Sequence, residues 1–571
     1  MNKKLLAVLA GALALMMVFT LCPIPPIRVS AATRAYAVPE GYNAHDYNKC
    51  VDFLEQAPNG TKNGNILFAG YDPTDPTTWS QASMVWVNGF QWTEENGEKR
   101  LVKITTSWAD RVSGECDFSG CSLLKRVYME GVNIEVFDFS DCSSLTDINI
   151  ERGVASELDL SGCTALESLC IRKDPFTELD LSDCVSLKTL ICPETPFTEL
   201  DLTGCASLVT LDCTYCEELT SLNIRGLAAL GSVGLFYSGL TQVDFSGDVN
   251  LWSIDCHNTQ ISELDLSDCS RLNELNCDSC PVKSLDVSAC SALRYLYCSD
   301  CELETLDVSG KPELMELYCT NNRIKSLDLT GLDVLRRLNC GGNQLTTLDL
   351  SAVPALELLF VDDMAISLEG LSDLPKLDAL SCENCGLTEL DVSANPQLCS
   401  LYCGGNRLTE LDLSENPRLY RLFCDGNLLT TIDLSQNPRI AIDEIRAEEG
   451  GTVSCGIDFS NKLLTAVPDG QHVFAGWYSE AGELLSEDAE FNYYGREETV
   501  YVAHFEEAAP MPGDVNLDGD VTVLDAVLAL RGAMGIVPLD GIAQQNADYN
   551  GDGEVTILDA VLILRKAMGI I

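Results

Sequence analysis

The chain has 571 residues, and its 87 acidic against 36 basic side chains leave a net charge of −51. That field repels phosphate backbones and anionic lipid, which excludes nucleic acid as a partner. Only four histidines are present, His45, His257, His472 and His504, no two adjacent, so zinc or acid–base chemistry built on histidine has little to work with. The length exceeds one ordinary core, so several domains or a repeat array are expected.

The chain opens with MNKK, runs apolar through LLAVLAGALALMMVFTLC, and reaches small residues around Val29–Ala32 and Ala35–Ala37. A basic start, a short apolar stretch and an A-x-A-like site predict a secretory signal peptide over 1–32, cut between about 31 and 37. Leu21 is too large for the residue that precedes a lipidated cysteine, so Cys22 is not read as a lipid anchor. No other apolar run is long enough to span a bilayer, and the protein is expected to be exported without an anchor of its own. Residues 38–117 carry strand-like pieces such as KRLVKITTSW (99–108) and are expected to form a helix-and-strand cap.

From 118 to 440 the sequence repeats every 21 residues, with one unit of 22. VSACSALRYLYCSDCELETLD (287–307) and VSGKPELMELYCTNNRIKSLD (308–328) are two consecutive units. One unit cannot bury its own apolar residues, so neighbours must stack into a solenoid, with one short strand around L-x-C per unit in a parallel sheet on the concave side. The consensus L-x-x-L-x-C-x-x-[NC]-x-L-x-x-L-D resembles the bacterial leucine-rich repeat of the 21-residue type. The resemblance covers more than half of the chain.

The repeat register explains the CxxC pairs Cys213/Cys216, Cys277/Cys280, Cys298/Cys301 and Cys382/Cys385. The first cysteine of each pair belongs to a column in which Ile171, Leu235 and Val361 also stand, so the site is a buried apolar one. The second shares its column with Asn322, Asn343, Asn406 and Asn427. A third column runs from Cys121 to Cys290 and exchanges with Asn395, Asn416 and Asn437. Cysteine therefore stands in for a small hydrophobe or for a turn-bonding asparagine, not for half of a zinc or redox centre. Such a ladder of thiols needs no disulfides and suits a reducing, anaerobic setting.

Asp138, Asp159, Asp180 and their counterparts through Asp433 close successive units. Stacked about 4.8 Å apart, bare carboxylates would repel one another. Each is expected to accept backbone N–H groups of the next turn. On the concave strands, Tyr297, Tyr318, Phe360, Tyr402 and Phe423 form an aromatic stripe broken by Asn339 and Ser381. The stripe suits recognition of a protein or glycan, or simple ring-on-ring packing along the sheet.

Residues 449–507 lack the repeat; VFAGWYSEAGELLSEDAEFNYYGREETVYVAHFE (473–506) alternates like strands and is similar to the small β-repeat modules of Gram-positive surface proteins. EEAAPMP (506–512) reads as a linker. Beyond it, DVNLDGDVTVLD (514–525) and DYNGDGEVTILD (548–559) supply oxygen ligands around a turn, the set that hard Ca²⁺ takes. Side-chain ligands are expected from Asp514, Asn516, Asp518 and Asp525, and from Asp548, Asn550, Asp552 and Asp559. Thr522 and Thr556 would act directly or through water, Asp520 and Glu554 through their carbonyls, and Gly519 and Gly553 allow the bend. Each loop runs into one following helix, unlike a full EF-hand.

This doubled loop–helix pattern, over 508–571, resembles a type I dockerin. The resemblance implies two Ca²⁺ ions and docking to a scaffoldin cohesin through Val523, Leu524, Leu530 and Arg531, or through Ile557, Leu558, Leu564 and Arg565. Many dockerins have Ser-Thr where this chain has the aliphatic pairs Val523-Leu524 and Ile557-Leu558. The expected whole is an α/β-type solenoid with a parallel concave sheet, then a small β module, then an α-helical dockerin with two calcium loops. Neither non-repeat segment has room for a usual hydrolase or a convincing catalytic pair. The reading is a non-catalytic extracellular recognition protein of a cellulosome; a glycoside hydrolase component or an adhesin with internalin-like repeats are the alternatives.

Overall fold

The computed structural model describes residues 36–79, 89–107, 111–457, 462–469, 471–493, 499–507, 511–517, 520–539 and 541–570. The expected signal peptide over 1–32, and Asp518 and Gly519 of the first loop, lie outside the described residues. Among the described residues no helix is long and apolar enough to cross a membrane.

A small cap starts the array. Helix α1 (Ala44–Glu55) is N-capped by Asn43, whose side chain accepts the amide of Asp46. Tyr47, Cys50, Val51 and Leu54, spaced three and four apart, put one buried stripe on it. Strands β1 (Gly89–Glu95) and β2 (Glu98–Ser107) form a hairpin over Asn96-Gly97, both in the left-handed region (φ 54° and 81°) that such a two-residue turn demands. β2 then pairs in parallel with the first repeat strand, Arg126–Glu130, so the hairpin is the bottom rung. The Arg100 guanidinium and the Leu101 amide both reach the fully buried Asp46 carboxylate, at 2.8 and 2.9 Å, and bolt α1 to that rung.

From Arg126–Glu130 to Arg421–Phe423, fifteen short strands follow, each parallel to and in register with the next. Leu296 pairs with Leu317, and Tyr297 with Tyr318; the pattern then repeats rung by rung. The central leucine and the cysteine two residues on are fully buried, as Leu317 and Cys319 show, while the two residues flanking the leucine face outward. The one 22-residue unit falls between Leu211 and Val233 and leaves the strand register unbroken.

A parallel sheet of this length has two open edges, which invite pairing with other chains unless covered. β2 covers one. At the other, strand Gly451–Ile457 pairs antiparallel with Arg421–Phe423 and leads into a hairpin with Lys462–Pro468. The rest of this segment builds a five-stranded sheet in which Glu444–Ala447 lies beside Val500–Glu507. Leu464, Trp477 and Tyr501 belong to the same buried core as the repeats. The segment that reads in sequence as a small β-repeat module thus packs on the array as its closing cap.

After 511 the chain forms helices α2 (Val523–Ala533), α3 (Gly541–Ala547) and α4 (Ile557–Ala567). Their own core is Val515, Ala526, Ala529, Ala547, Ala560 and Ile563, separate from that of the array.

Candidate functional sites

The cysteine columns are interior. Cys277, Cys298, Cys319 and Cys340 are inaccessible to solvent, and all 26 described cysteines are free thiols. Burial pushes the Cys298 thiol well up and Cys319 to about 12, so neither is the thiolate that metal binding or nucleophilic attack needs. Cys280 is an exception: hydrogen bonds from the Cys256 thiol and from Thr259 outweigh burial and draw it down to about 6, while the same contact drives Cys256 up. In the second column, Asn343 donates from Nδ2 to the carbonyls of Cys319 and Cys340 (2.8 and 2.9 Å) and accepts the Ile324 amide. Cys301 donates to the Cys277 carbonyl at 3.2 Å from the same position. The exchange of asparagine for cysteine keeps the bond to the rung below and a longer one, 3.5 Å, to the Ser299 carbonyl, and gives up the acceptor that takes the neighbouring amide.

The aspartate column is a row of turn-closing groups. Asp138, Asp265, Asp307 and Asp433 each accept the amide two residues on, at 2.8–3.0 Å, and the other members of the column do the same. The hydroxyl and amide of the following serine hold Asp265, Asp286 and Asp307 below the usual carboxylate range.

The aromatic stripe is half-buried rather than open. Tyr297 and Tyr318 lie 5.3 Å apart at 39°, Tyr402 and Phe423 5.1 Å apart at 9°, so the rings pack in pairs along the sheet. The Tyr297 hydroxyl donates to Glu316. Phe360 stands between Asn339 and Ser381 and so has no aromatic neighbour on the adjoining strands. A groove of about 1350 Å³ lies elsewhere, beside the aspartate column at Asp391, Asp412 and Asp433.

The two loops place their oxygens around a turn. In the second, Asp548 accepts the amides of Asp552 (3.0 Å) and Gly553 (2.7 Å), and Asn550 Oδ1 accepts that of Asp552 (2.8 Å). Gly553 sits at φ 92°, where a side chain would be strained. The donor set is all oxygen and holds no basic side chain, which fits a hard dication such as Ca²⁺. Asp525 and Asp559 are fully buried and turn back into their loops: Asp525 accepts the amides of Val515 and Asn516 with one oxygen and Thr522 with the other, and Asp559 repeats the pattern with Asn550 and Thr556. Burial opposes their ionisation, but these amides outweigh it and hold both acids below the ordinary range. Thr522 and Thr556 are helix N-caps, each accepting the amide two residues on within a capping box. Asp514 is buried, and the Asn546 side chain donates to its carbonyl.

Of the residues expected to meet a cohesin, Val523, Leu524, Ile557 and Leu558 are all more than half exposed, and Arg531 and Arg565 are exposed as well. Leu530 and Leu564 instead turn inward against the small core. Val527 and Val561, one turn after Val523 and Ile557, complete the exposed face; sequence reasoning passed over them although the four-residue spacing marks them. His45, Asp46 and Cys121 also bring ligand-type atoms within 4.8 Å of one another, but Asp46 is already held by Arg100.

Comparison with known proteins agrees with both halves. The functional domain of InlJ from Listeria monocytogenes, which includes a cysteine ladder, superposes with a TM-score of 0.51 at 23% identity, covering 71% of this chain and 90% of that one. YopM from Yersinia enterocolitica matches at 22% identity and a TM-score of 0.43 (58% and 78% covered), and an internalin, inlF, from Listeria monocytogenes at 18% and 0.39 (60% and 84% covered). No curated protein matches the chain. The array is a leucine-rich-repeat solenoid. Residues 512–567 match the dockerin type I domain, so the solenoid ends in a dockerin, a class of domain that binds calcium and docks to cohesins.

Proposed function

We propose that this is a non-catalytic extracellular recognition protein that presents its repeat surface to a protein or glycan and is held on a scaffoldin through a calcium-loaded dockerin. The observation that carries this reading is the pair of matching loop–helix units, each with an exposed aliphatic face ahead of an arginine. Two Ca²⁺ ions would be held by Asp514, Asn516, Asp518 and Asp525, and by Asp548, Asn550, Asp552 and Asp559. Thr522, Thr556 and the carbonyls of Asp520 and Glu554 would complete the shells. Because the halves match, either one can meet the cohesin, related by a half-turn. Substituting Leu524 and Arg531 together is then expected to leave cohesin affinity nearly intact, and adding changes at Leu558 and Arg565 to abolish it. Loss from the first pair alone would rule out docking in two orientations, and docking that survives chelation of calcium would defeat the assignment. The repeat surface is tested with residues 38–507 on glycan and protein arrays, with Tyr318→Ala and Tyr402→Ala as variants. Unchanged capture by both variants removes the stripe from the site, and hydrolysis of a polysaccharide by the same segment would return the glycoside hydrolase reading.

A further inference from the structure

A second aromatic patch lies away from the stripe, at one rim of the sheet in the rungs around residues 210–257. Tyr215 and Tyr237 stack face to face, 5.1 Å apart at 4°, and remain 47% and 42% exposed. Beside them Phe236 stacks on His257 at 4.6 Å and 13°, and meets Tyr215 edge-on at 5.2 Å. Both tyrosines hold left-handed backbone, φ 58° and 56°, at a position that the next rungs fill with Asn258, Ser279, Asp300 and Asn321. Those small polar residues adopt that conformation readily and a bulky ring does not. The preceding rungs carry the long side chains of Arg152, Lys173 and Glu194 at the same left-handed position, so this column turns large side chains outward in five successive rungs, and two of them are the stacked tyrosines.

The adjoining sheet face has a gap. Asp212, Gly234 and Asp255 are in register on three consecutive strands, so Gly234 leaves an opening with a carboxylate on either side. A Cβ built at Gly234 would lie 3.3 Å from the Thr214 methyl, which floors the notch, and 3.7 Å from Asp212 Oδ1, and Asp255 Oδ1 is 2.6 Å from the ring of His257, which carries it to the edge of the aromatic patch. Between residues 190 and 280 the sequence contains two basic side chains, Arg225 and Arg271. Arg225 lies 3.8 Å from Asp244, and Arg271 donates to Asn250, so neither arginine is spent on Asp212 or Asp255, whose Oδ1 atoms meet the Thr214 amide and the His257 ring.

We propose that the notch at Gly234, flanked by Asp212 and Asp255 and rimmed by Tyr215, Phe236 and Tyr237, receives an arginine-bearing segment of a protein partner. A planar guanidinium stacks on an aromatic face and donates to a carboxylate in the same approach, a combination that neither a neutral sugar nor an acidic peptide supplies. The site is independent of the Tyr297–Phe423 stripe and deepens the recognition reading by naming the charge of one partner.

The test is fluorescence anisotropy of a labelled hexa-arginine peptide with the full-length protein, in calcium and about 150 mM salt, where loose attraction to the acidic surface is screened. Asp212→Asn with Asp255→Asn is expected to weaken binding by about tenfold or more, and Tyr215→Asn with Tyr237→Asn by a similar factor. The charge-matched pair Glu389→Gln with Glu410→Gln is expected to leave binding within about twofold. The asparagine pair at the tyrosines should unfold no earlier than wild type on heating, because asparagine suits the left-handed turn. Equal weakening by the Glu389/Glu410 pair, undiminished binding in the tyrosine variant, or competition by a neutral oligosaccharide would each overturn the proposal. Earlier melting of the tyrosine variant would do so too, since the rings would then be holding the rung together.

Discussion

The array and the dockerin solve the same problem, burying enough apolar surface, by opposite means. Each rung of the array contributes a fully buried apolar strand residue and a second buried one two residues on, most often cysteine, to one continuous core, closed at both ends by strands that belong to the caps. The dockerin's core is four alanines, a valine and an isoleucine. So small a core leaves folding to whatever holds the loops together, and here that is a ring of oxygens. The array is therefore expected to be stable on its own account, and the dockerin to depend on the calcium that its class of domain binds.

The sharpest way to break that contrast is to remove calcium. Chelation is expected to abolish the protected amides of residues 511–570 in hydrogen exchange while those of 118–440 are unchanged; equal loss in both would end the distinction. Within the array, Leu317→Ala removes a side chain with no solvent exposure and is expected to destabilise it by about 2–5 kcal/mol in urea titration, leaving the dockerin transition where it was. A third test uses acid. Burial raises the Asp248 carboxyl to about 7, and neither of its oxygens has a hydrogen-bond partner at normal distance. Its folded pKa stands above the unfolded one, so its contribution is fullest below about pH 4 and declines as pH rises towards 7. The Asp248 contribution should be lost across that window, and Asp248→Asn should flatten that part of the profile and stabilise the protein at pH 8 relative to wild type. Asn395 and Asn416 already occupy the same column with both amide protons donated to carbonyls of earlier rungs, so asparagine fits there. The smallest of these effects is expected for Asn343→Ala, about 1–3 kcal/mol in the same urea titration, because it strips four backbone groups, the carbonyls of Cys319, Cys340 and Gly341 and the Ile324 amide, of a partner. A cost below that of Cys301→Ala would invert the ranking of the two residues in their shared column.

Much of this was legible before any coordinates because the repeat compares each residue with its counterparts. Cys319 reads as a hydrophobe since Val361 and Leu235 stand in its column, and Asp307 reads as a turn closer since a serine or threonine follows at two residues in nearly every unit. Where the repeat stops, the inference weakens. Strand Gly451–Ile457 pairs with Arg421–Phe423 through backbone groups, and backbone pairing leaves no trace in side-chain pattern. Leu530 and Leu564 are placed on the docking face by the dockerin resemblance, but the helices begin at Val523 and Ile557, and that start turns positions 530 and 564 to the core. Tyr215 and Tyr237 were passed over because tyrosine gives no hint of left-handed backbone; the asparagines and glycines of the same column do.

The rungs also have a mechanical meaning. The hydrogen bonds that join Leu296 to Leu317 and each strand to the next run along the stacking direction, not across it. A pull between the N-terminal cap and a tethered dockerin therefore loads them one after another, like the teeth of a zip rather than a sheared lap joint. Each rung that lets go frees a 21-residue unit, about 70 Å of chain at full extension. Stretched from its two ends, the array should lengthen in equal steps, yielding slack by the rung while the rest stays folded.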